Sequence, residues 1–227
     1  MKVKIPIFII LLNDSELALY KNKKFMPYLK YYLDNFGVYE NCVFLYAGKE
    51  NESYLKNANI KNIYEVKSLE VISHKDEFIA VYNCIKDFNM TNDWFITIQP
   101  NQIIKNNNTI YTCIQNIEYK YDFLCFSTAY IDKHYLRLEN GKLKYKFLDY
   151  TDKYMNIIDT SLFVTNSEWF MKCCEESELN EPVFNSLFWS GNYKILDLSD
   201  QITIYLNTKG QVDNFIDFLE NYKIYSK

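Results

Sequence analysis

The sequence predicts a three-layer α/β fold, with a mostly parallel central sheet covered by helices on both faces and an inserted β-hairpin region. Three observations lead there. First, Lys4–Leu12 and Trp94–Ile98 are continuous β-rich apolar runs without the alternation of a half-solvated strand, as expected of strands buried on both faces. Second, such runs alternate with helical patterns of about ten to fifteen residues, the signature of strand–helix–strand units. Third, one segment breaks that alternation: Tyr135 to Tyr145 carries Asn140-Gly141 between two short runs, the strongest short-range hairpin signal. With 227 residues the chain suits one domain, 1–227, with 129–157 as a hairpin excursion. At this size roughly 70% of the unfolded chain's surface can be buried, so neither metal nor disulfide staples are required.

The elements follow in order. Lys4–Leu12 reads as a central buried strand, and a polar loop from Asn13 to Lys24 succeeds it. Phe25, Leu29, Tyr32, Leu33 and Phe36 recur at helical spacing, and Gly37 ends that helix. Cys42–Ala47 is a second strand, Gly48 turns the chain into a short helix near Glu50–Asn57, and Asn62–Val66 is a short third strand. Asp76–Phe88 is a helix with Phe78, Val81, Tyr82, Ile85 and Phe88 inward, leading to the strand Trp94–Ile98. Asn106 to Asn108 are candidate caps for a helix carrying Ile110, Ile114 and Ile117, and Asp122–Thr128 is another apolar strand. After the hairpin come a strand at Ile157–Val164 and a helix at Ser167–Glu176 capped by Asn166 or Ser167. Pro182 suits the first turn of the next helix. Lys194–Leu198 and Ile202–Leu206 are late strands, and Gln211–Tyr222 is a last amphipathic helix.

Composition narrows the function classes. A net charge of −4 argues against a nucleic-acid partner, which calls for a basic face. Lysines occur in small clusters that suit a solvated surface, and Arg137 is the only arginine among 25 basic residues. An anionic ligand must therefore be held mainly by lysine, backbone N–H groups or a helix N-terminus. Six cysteines are dispersed without a Cys-x-x-Cys pair or zinc spacing, which points to buried free thiols in a reducing cytosol. The first apolar run is too short to span a bilayer and lacks a cleavage site, so a cytoplasmic protein without membrane attachment is expected.

Asp93 to Gln102 marks the expected ligand pocket. The strand enters at an aspartate, stops at Pro100 and leaves Gln99, Asn101 and Gln102 where it ends. In open α/β sheets, ligands bind outside the carboxyl ends of strands.

The order and placement of these segments resemble the sugar-acid cytidylyltransferases, the CMP-sialic acid synthetase family, nearly end to end. Gln99-Pro100-Asn101-Gln102-Ile103-Ile104-Lys105 stands where the family has Gln-Pro-Thr-Ser-Pro-Leu-Arg, and Lys21-Asn22 matches the Lys-Asn of its nucleotide loop. Phe123 to Lys142 resembles the family's next strand and Gly turn, Asp159-Thr160-Ser161 its Asn-Gly-Ala strand start, and Thr203 to Glu220 its closing strand and helix. The resemblance implies a nucleotide-diphospho-sugar transferase type of sheet. It also implies activation of a nonulosonic sugar acid by CTP, with CMP-sugar and pyrophosphate as products. By the same resemblance, Lys21 and Gln99 would be catalytic, and Asn13, Lys21 and Asn22 would bind nucleotide. Gln99, Asn101, Gln102 and Lys105 would bind sugar, and Asn207 with Asp200 would hold Mg2+. A homodimer through the hairpin region is implied as well, from the apolar Leu136, Leu138, Leu143, Tyr145 and Phe147.

The sequence departs from the family at three places, one of them after the second strand, where Tyr46-Ala47-Gly48 stands in place of the family's Ser-Thr-Asp and lacks its carboxylate. The loop Asn13 to Asn22 has no glycine or arginine and carries Asp14 and Glu16, which repel a triphosphate. The family's metal-binding Asp-x-Asp is here Tyr205-Leu206-Asn207. Two alternatives therefore stand beside an active cytidylyltransferase. One is a catalytically silent homologue that binds a nucleotide-sugar or a partner protein; the other is a glycosyltransferase of related fold, which the missing Asp-x-Asp after Trp94–Ile98 disfavours.

Overall fold

The computed structural model describes residues 5–12, 39–66, 76–90, 93–98, 102–104, 109–127, 134–139, 142–147, 157–197 and 202–205. Within them β1 (Ile7–Leu11) is followed by a 3-10 turn at Tyr39–Asn41, β2 (Cys42–Tyr46), α1 (Lys49–Asn57) and β3 (Ile63–Glu65). Then come α2 (Asp76–Asp87), β4 (Trp94–Ile98), β5 (Gln102–Ile104), α3 (Thr109–Gln115) and β6 (Phe123–Ser127). The hairpin strands β7 (His134–Glu139) and β8 (Lys142–Phe147) lead to β9 (Ile157–Asn166). The described chain closes with α4 (Ser167–Glu176), α5 (Glu181–Phe188), β10 (Tyr193–Asp197) and β11 (Ile202–Tyr205).

Seven strands lie side by side in the order β10-β6-β9-β4-β1-β2-β3. β1 pairs in parallel with β2 on one side and β4 on the other, and β6 pairs in parallel with β10. β9 alone runs antiparallel within this row, between β4 and β6. The first residues of β9 also receive β7, so the hairpin is an outgrowth of the same sheet. Its register, Leu138 opposite Leu143 and Glu139 opposite Lys142, leaves Asn140-Gly141 as the two-residue connection.

The alternation of β1 explains the three layers. Ile7, Ile9 and Leu11 enter one core with Phe44, Ile96, Leu124, Phe126, Leu55 of α1 and Ile110 and Cys113 of α3. Phe8, Ile10 and Leu12 enter the other with Leu45, Phe95 and Phe123 and with residues of α2, α4 and α5. This second core is a run of aromatic contacts: Phe8–Phe95 at 5.4 Å, Phe95–Phe170 at 5.2 Å, Phe170–Phe184 at 5.6 Å and Phe184–Phe188 at 5.5 Å. Each such pair adds about 0.5–1.5 kcal/mol beyond the area it buries. All six cysteines are buried and free of disulfides, as the dispersed spacing predicts.

Helix termini follow their sequence signals. The Asn166 side chain accepts from the backbone N–H groups of Glu168 at 2.9 Å and Trp169 at 3.3 Å, so Asn166 rather than Ser167 is the cap. Asn180 caps α5 through the N–H of Val183, and Pro182 stands in its first turn.

One expectation is corrected and one element is added. Phe88 does not face inward: it lies past the end of α2 and is 53% exposed, touching only the edge of the core through the Tyr64 ring at 5.7 Å. The left-handed Asn89 (φ 51°) turns the chain out of the helix there, and the helical period no longer applies. The segment Gln102–Ile104 is also a strand, β5, which pairs antiparallel with β11 in a separate two-stranded sheet. The expected loop at Asn13–Lys24, the helix ending at Gly37, the caps Asn106 to Asn108 and the helix Gln211–Tyr222 lie outside the described residues.

Candidate functional site

The carboxyl ends of β1, β2 and β4 share one edge of the sheet, and the chain's path makes that edge distinctive. From β1 it proceeds outward to β2 and β3, then crosses back to place β4 on the other side of β1. Strand order thus reverses between β1 and β4, the topological switch point at which open α/β sheets bind ligands. The last β1–β4 pair is Ile9 with Ile98, and β1 continues through Ile10 and Leu11 beyond the end of β4.

Most sequence-predicted site residues are attached to this edge by the chain but lie outside the described residues. Asn13 follows Leu12 at the exit of β1, with Lys21 and Asn22 further along that connection, and Gln99 follows Ile98 at the exit of β4. Asn101, Lys105, Asp200 and Asn207 are likewise outside the described residues, while Gln102 is the first residue of β5. The pairing of β5 with β11 sets Gln102 opposite Tyr205 and Ile104 opposite Ile202. It thereby joins the segment assigned to sugar with the segment assigned to metal. Sequence patterning missed this pairing, because three residues are too few to show a period.

The exit of β2 is described in full. Gly48 adopts φ 83°, a left-handed conformation that glycine tolerates, and turns the chain from β2 into α1. In the first turn of α1, Asn51 is only 5% exposed. Its Nδ2 donates to the carbonyl oxygens of Ala47 at 2.7 Å and Leu11 at 3.2 Å, so one side chain joins the ends of β2 and β1. Asn51 Oδ1 is buried without a hydrogen-bond partner; Trp94 Nε1 shares that condition at the opposite, amino end of β4. Nearby, burial raises the Tyr46 phenol above its ordinary value, and Glu52 and Glu65 push it further, so this hydroxyl stays neutral. Glu52 forms an ion pair with Lys56 one turn along the same exposed helix face.

Among the described residues, no three His, Cys, Asp or Glu side chains are grouped so as to hold a metal ion. No described helix is long and apolar enough to cross a membrane.

The fold is that of nucleotidyltransferases of the CTP and glucose-1-phosphate transferase type, the nucleotide-diphospho-sugar transferase fold. The inositol-1-phosphate CTP transferase of T. maritima superposes with a TM-score of 0.60 over 97% of each chain at 12% identity. The 4-diphosphocytidyl-2C-methyl-D-erythritol synthase of Anaerococcus prevotii superposes with a TM-score of 0.62, over 96% of this chain and 100% of that one, at 12% identity. A Bacillus anthracis protein assigned as a glucose-1-phosphate thymidylyltransferase, in complex with a sucrose, gives a TM-score of 0.64 over 94% of each chain at 14% identity. No protein-family model matches the sequence, and no curated protein matches it.

Proposed function

We propose that this chain is a diverged cytidylyltransferase, which activates a sialic-acid-like nonulosonic sugar with CTP for surface glycan synthesis in the cytoplasm. The observation that carries the reading is the switch point between β1 and β4. The connections bearing Asn13, Lys21 and Asn22 on one side and Gln99 on the other leave the sheet at those two strands. In the proposed reaction a sugar hydroxyl oxygen bonds to the α-phosphorus of CTP as the bond to the β-phosphate breaks. The hydroxyl proton passes to solvent and pyrophosphate departs. Such a transfer depends on positioning and on offsetting phosphate charge. Lys21 is assigned to phosphate, Asn13 and Asn22 to the nucleotide, and Gln99 to the sugar acid, with Asn101, Gln102 and Lys105 beside it. Asp200 and Asn207 are the residues that would hold Mg2+, which would offset charge on the phosphates. A homodimer formed through the 129–157 region belongs to the same reading, with light scattering as its check.

The test is pyrophosphate release from CTP and Mg2+ across a panel of nonulosonic acids. Release with one of them supports the enzyme. A specific observation favours a second reading: Asp14 and Glu16, with no glycine or arginine, occupy the loop that would cradle phosphate. A silent homologue predicts CTP or CMP-sugar binding in calorimetry without turnover. Absence of release, of nucleotide binding and of a partner protein in pull-down would together overturn both readings.

A further inference from the structure

Asn51 lies within Lys49-Glu50-Asn51-Glu52, a charged stretch of helix in which a solvated side chain is expected, yet it is buried. Its amide spends both N–H donors on strand ends that are 40 residues apart in the chain for one bond and four for the other. Leu11 and Tyr46 form the last ladder pair between β1 and β2. Beyond it the backbone bond from Ala47 N–H to the Leu11 oxygen is a long one, at 3.4 Å. Asn51 adds a second donor to that same oxygen, extending the ladder by a side chain at the edge where ligands bind. The arrangement also leaves Oδ1 buried without a donor, a condition that native structures rarely keep without a reason. A leucine of similar volume would bury there without that defect, so a role served by the two N–H donors is indicated.

We propose that Asn51 is a positioning residue of the nucleotide pocket: it holds the exits of β1 and β2 together and so fixes where the connection bearing Asn13, Lys21 and Asn22 starts. This rests on the cytidylyltransferase reading. The experiment is calorimetric titration of the full chain with CTP and Mg2+, beside thermal unfolding, for the wild type, Asn51→Leu and Leu55→Ala. Leu55 is fully buried on the same helix and packs in the core that Ile7, Ile9 and Leu11 enter, but its side chain has no hydrogen bond to give a strand end, so Leu55→Ala reports general destabilisation. The expected result is that Asn51→Leu weakens CTP binding by about tenfold or more while unfolding at a higher temperature than Leu55→Ala, which binds CTP within about twofold of wild type. Hydrogen exchange at residues 11–13 and 47–48 should speed up in Asn51→Leu, with β4 amides unchanged. Should Asn51→Leu fail to fold, Asn51→Ser, which retains one donor, is expected to give an intermediate loss. Wild-type affinity in whichever variant folds overturns the proposal alone. Absence of CTP binding by the wild type removes the nucleotide reading and this inference with it.

Discussion

Gly191 sits against the indole of Trp169 so closely that a Cβ at position 191 would lie 2.7 Å from Cε2 and Cζ2 and 2.9 Å from Nε1. The ring has little freedom to retreat, because Nε1 donates to the Phe188 carbonyl at 3.3 Å. The close approach lets the chain leaving α5 pass under α4 and enter β10. Gly191→Ala is therefore expected to lower stability by about 1–3 kcal/mol through overpacking. A urea midpoint that falls with unchanged m-value checks this, and an unchanged midpoint would contradict it.

Asn166 ends β9 and begins α4 at once. Its backbone N–H donates to the Asp122 carbonyl at 2.9 Å while its side chain caps the helix. Only the second role is lost in Asn166→Ala, for which about 1 kcal/mol of destabilisation is expected. Asn166→Asp keeps an acceptor and should recover most of it; equal losses in the two variants would show that the cap contributes nothing.

How far these features were legible in the sequence depended on the range of the interaction. Ile7–Leu11 and Trp94–Ile98 announce themselves because a strand buried on both faces needs no polar alternation. The hairpin was legible from Asn140-Gly141, the start of α4 from Asn166-Ser167 and the start of α5 from Pro182. Three features were not. β5 acquires its strand character only from β11, about a hundred positions on. The antiparallel course of β9 between β4 and β6 is a matter of tertiary pairing and leaves no local mark. Asn51 reads as one more polar residue among charges until the Leu11 carbonyl is seen beside it. At the site itself, the strands carrying the candidate residues were foreseen, whereas the arrangement of Lys21 and Gln99 lies outside the described residues.

The cysteines offer a pH test. Burial pushes the thiols of Cys84, Cys113 and Cys173 up to about 12, with Asp87 adding to the first and Glu176 to the last. Burial raises Cys125 and Cys174 as well. In the unfolded chain a thiol titrates near about 8.5, so above that pH the unfolded state sheds protons that the folded state retains. The stability these groups contribute is complete below the unfolded value and declines as pH rises toward the folded values. Urea midpoints should thus fall between pH 8.5 and 11, and a disulfide reagent at pH 8 should react slowly with native protein and readily in denaturant. Rapid labelling of the native protein would refute the burial argument.

Glu118 shifts the other way. Its carboxylate takes Lys120 at 2.8 Å and Lys194 at 2.6 Å, and these hydrogen bonds hold it down to about 2. A depressed carboxylate contributes stability above its unfolded value, lost as pH falls through the folded one. Because the group is exposed, the effect on stability is small. The sharper measurement is its own carboxyl titration by NMR, expected with a midpoint near 2 in wild type. Lys194→Met should move the midpoint toward the ordinary glutamate range; a wild-type midpoint above 4 would show that the two lysines do not engage it.

The division of labour proposed for the strand exits makes the last prediction. If Lys21 offsets phosphate charge, Lys21→Met removes one charge-assisted hydrogen bond, worth about 1.5–3 kcal/mol, and CTP affinity should fall about 10- to 100-fold. The wild-type affinity should weaken with salt more steeply than that of Lys21→Met. Gln99 is assigned instead to the sugar acid, so Gln99→Leu should leave CTP affinity within about twofold while raising KM for the sugar about tenfold or more. The two substitutions should therefore separate: one acts on the nucleotide, the other on the second substrate. Loss of CTP affinity in Gln99→Leu with none in Lys21→Met would reverse the assignment and place the triphosphate at the exit of β4 rather than along the connection that leaves β1.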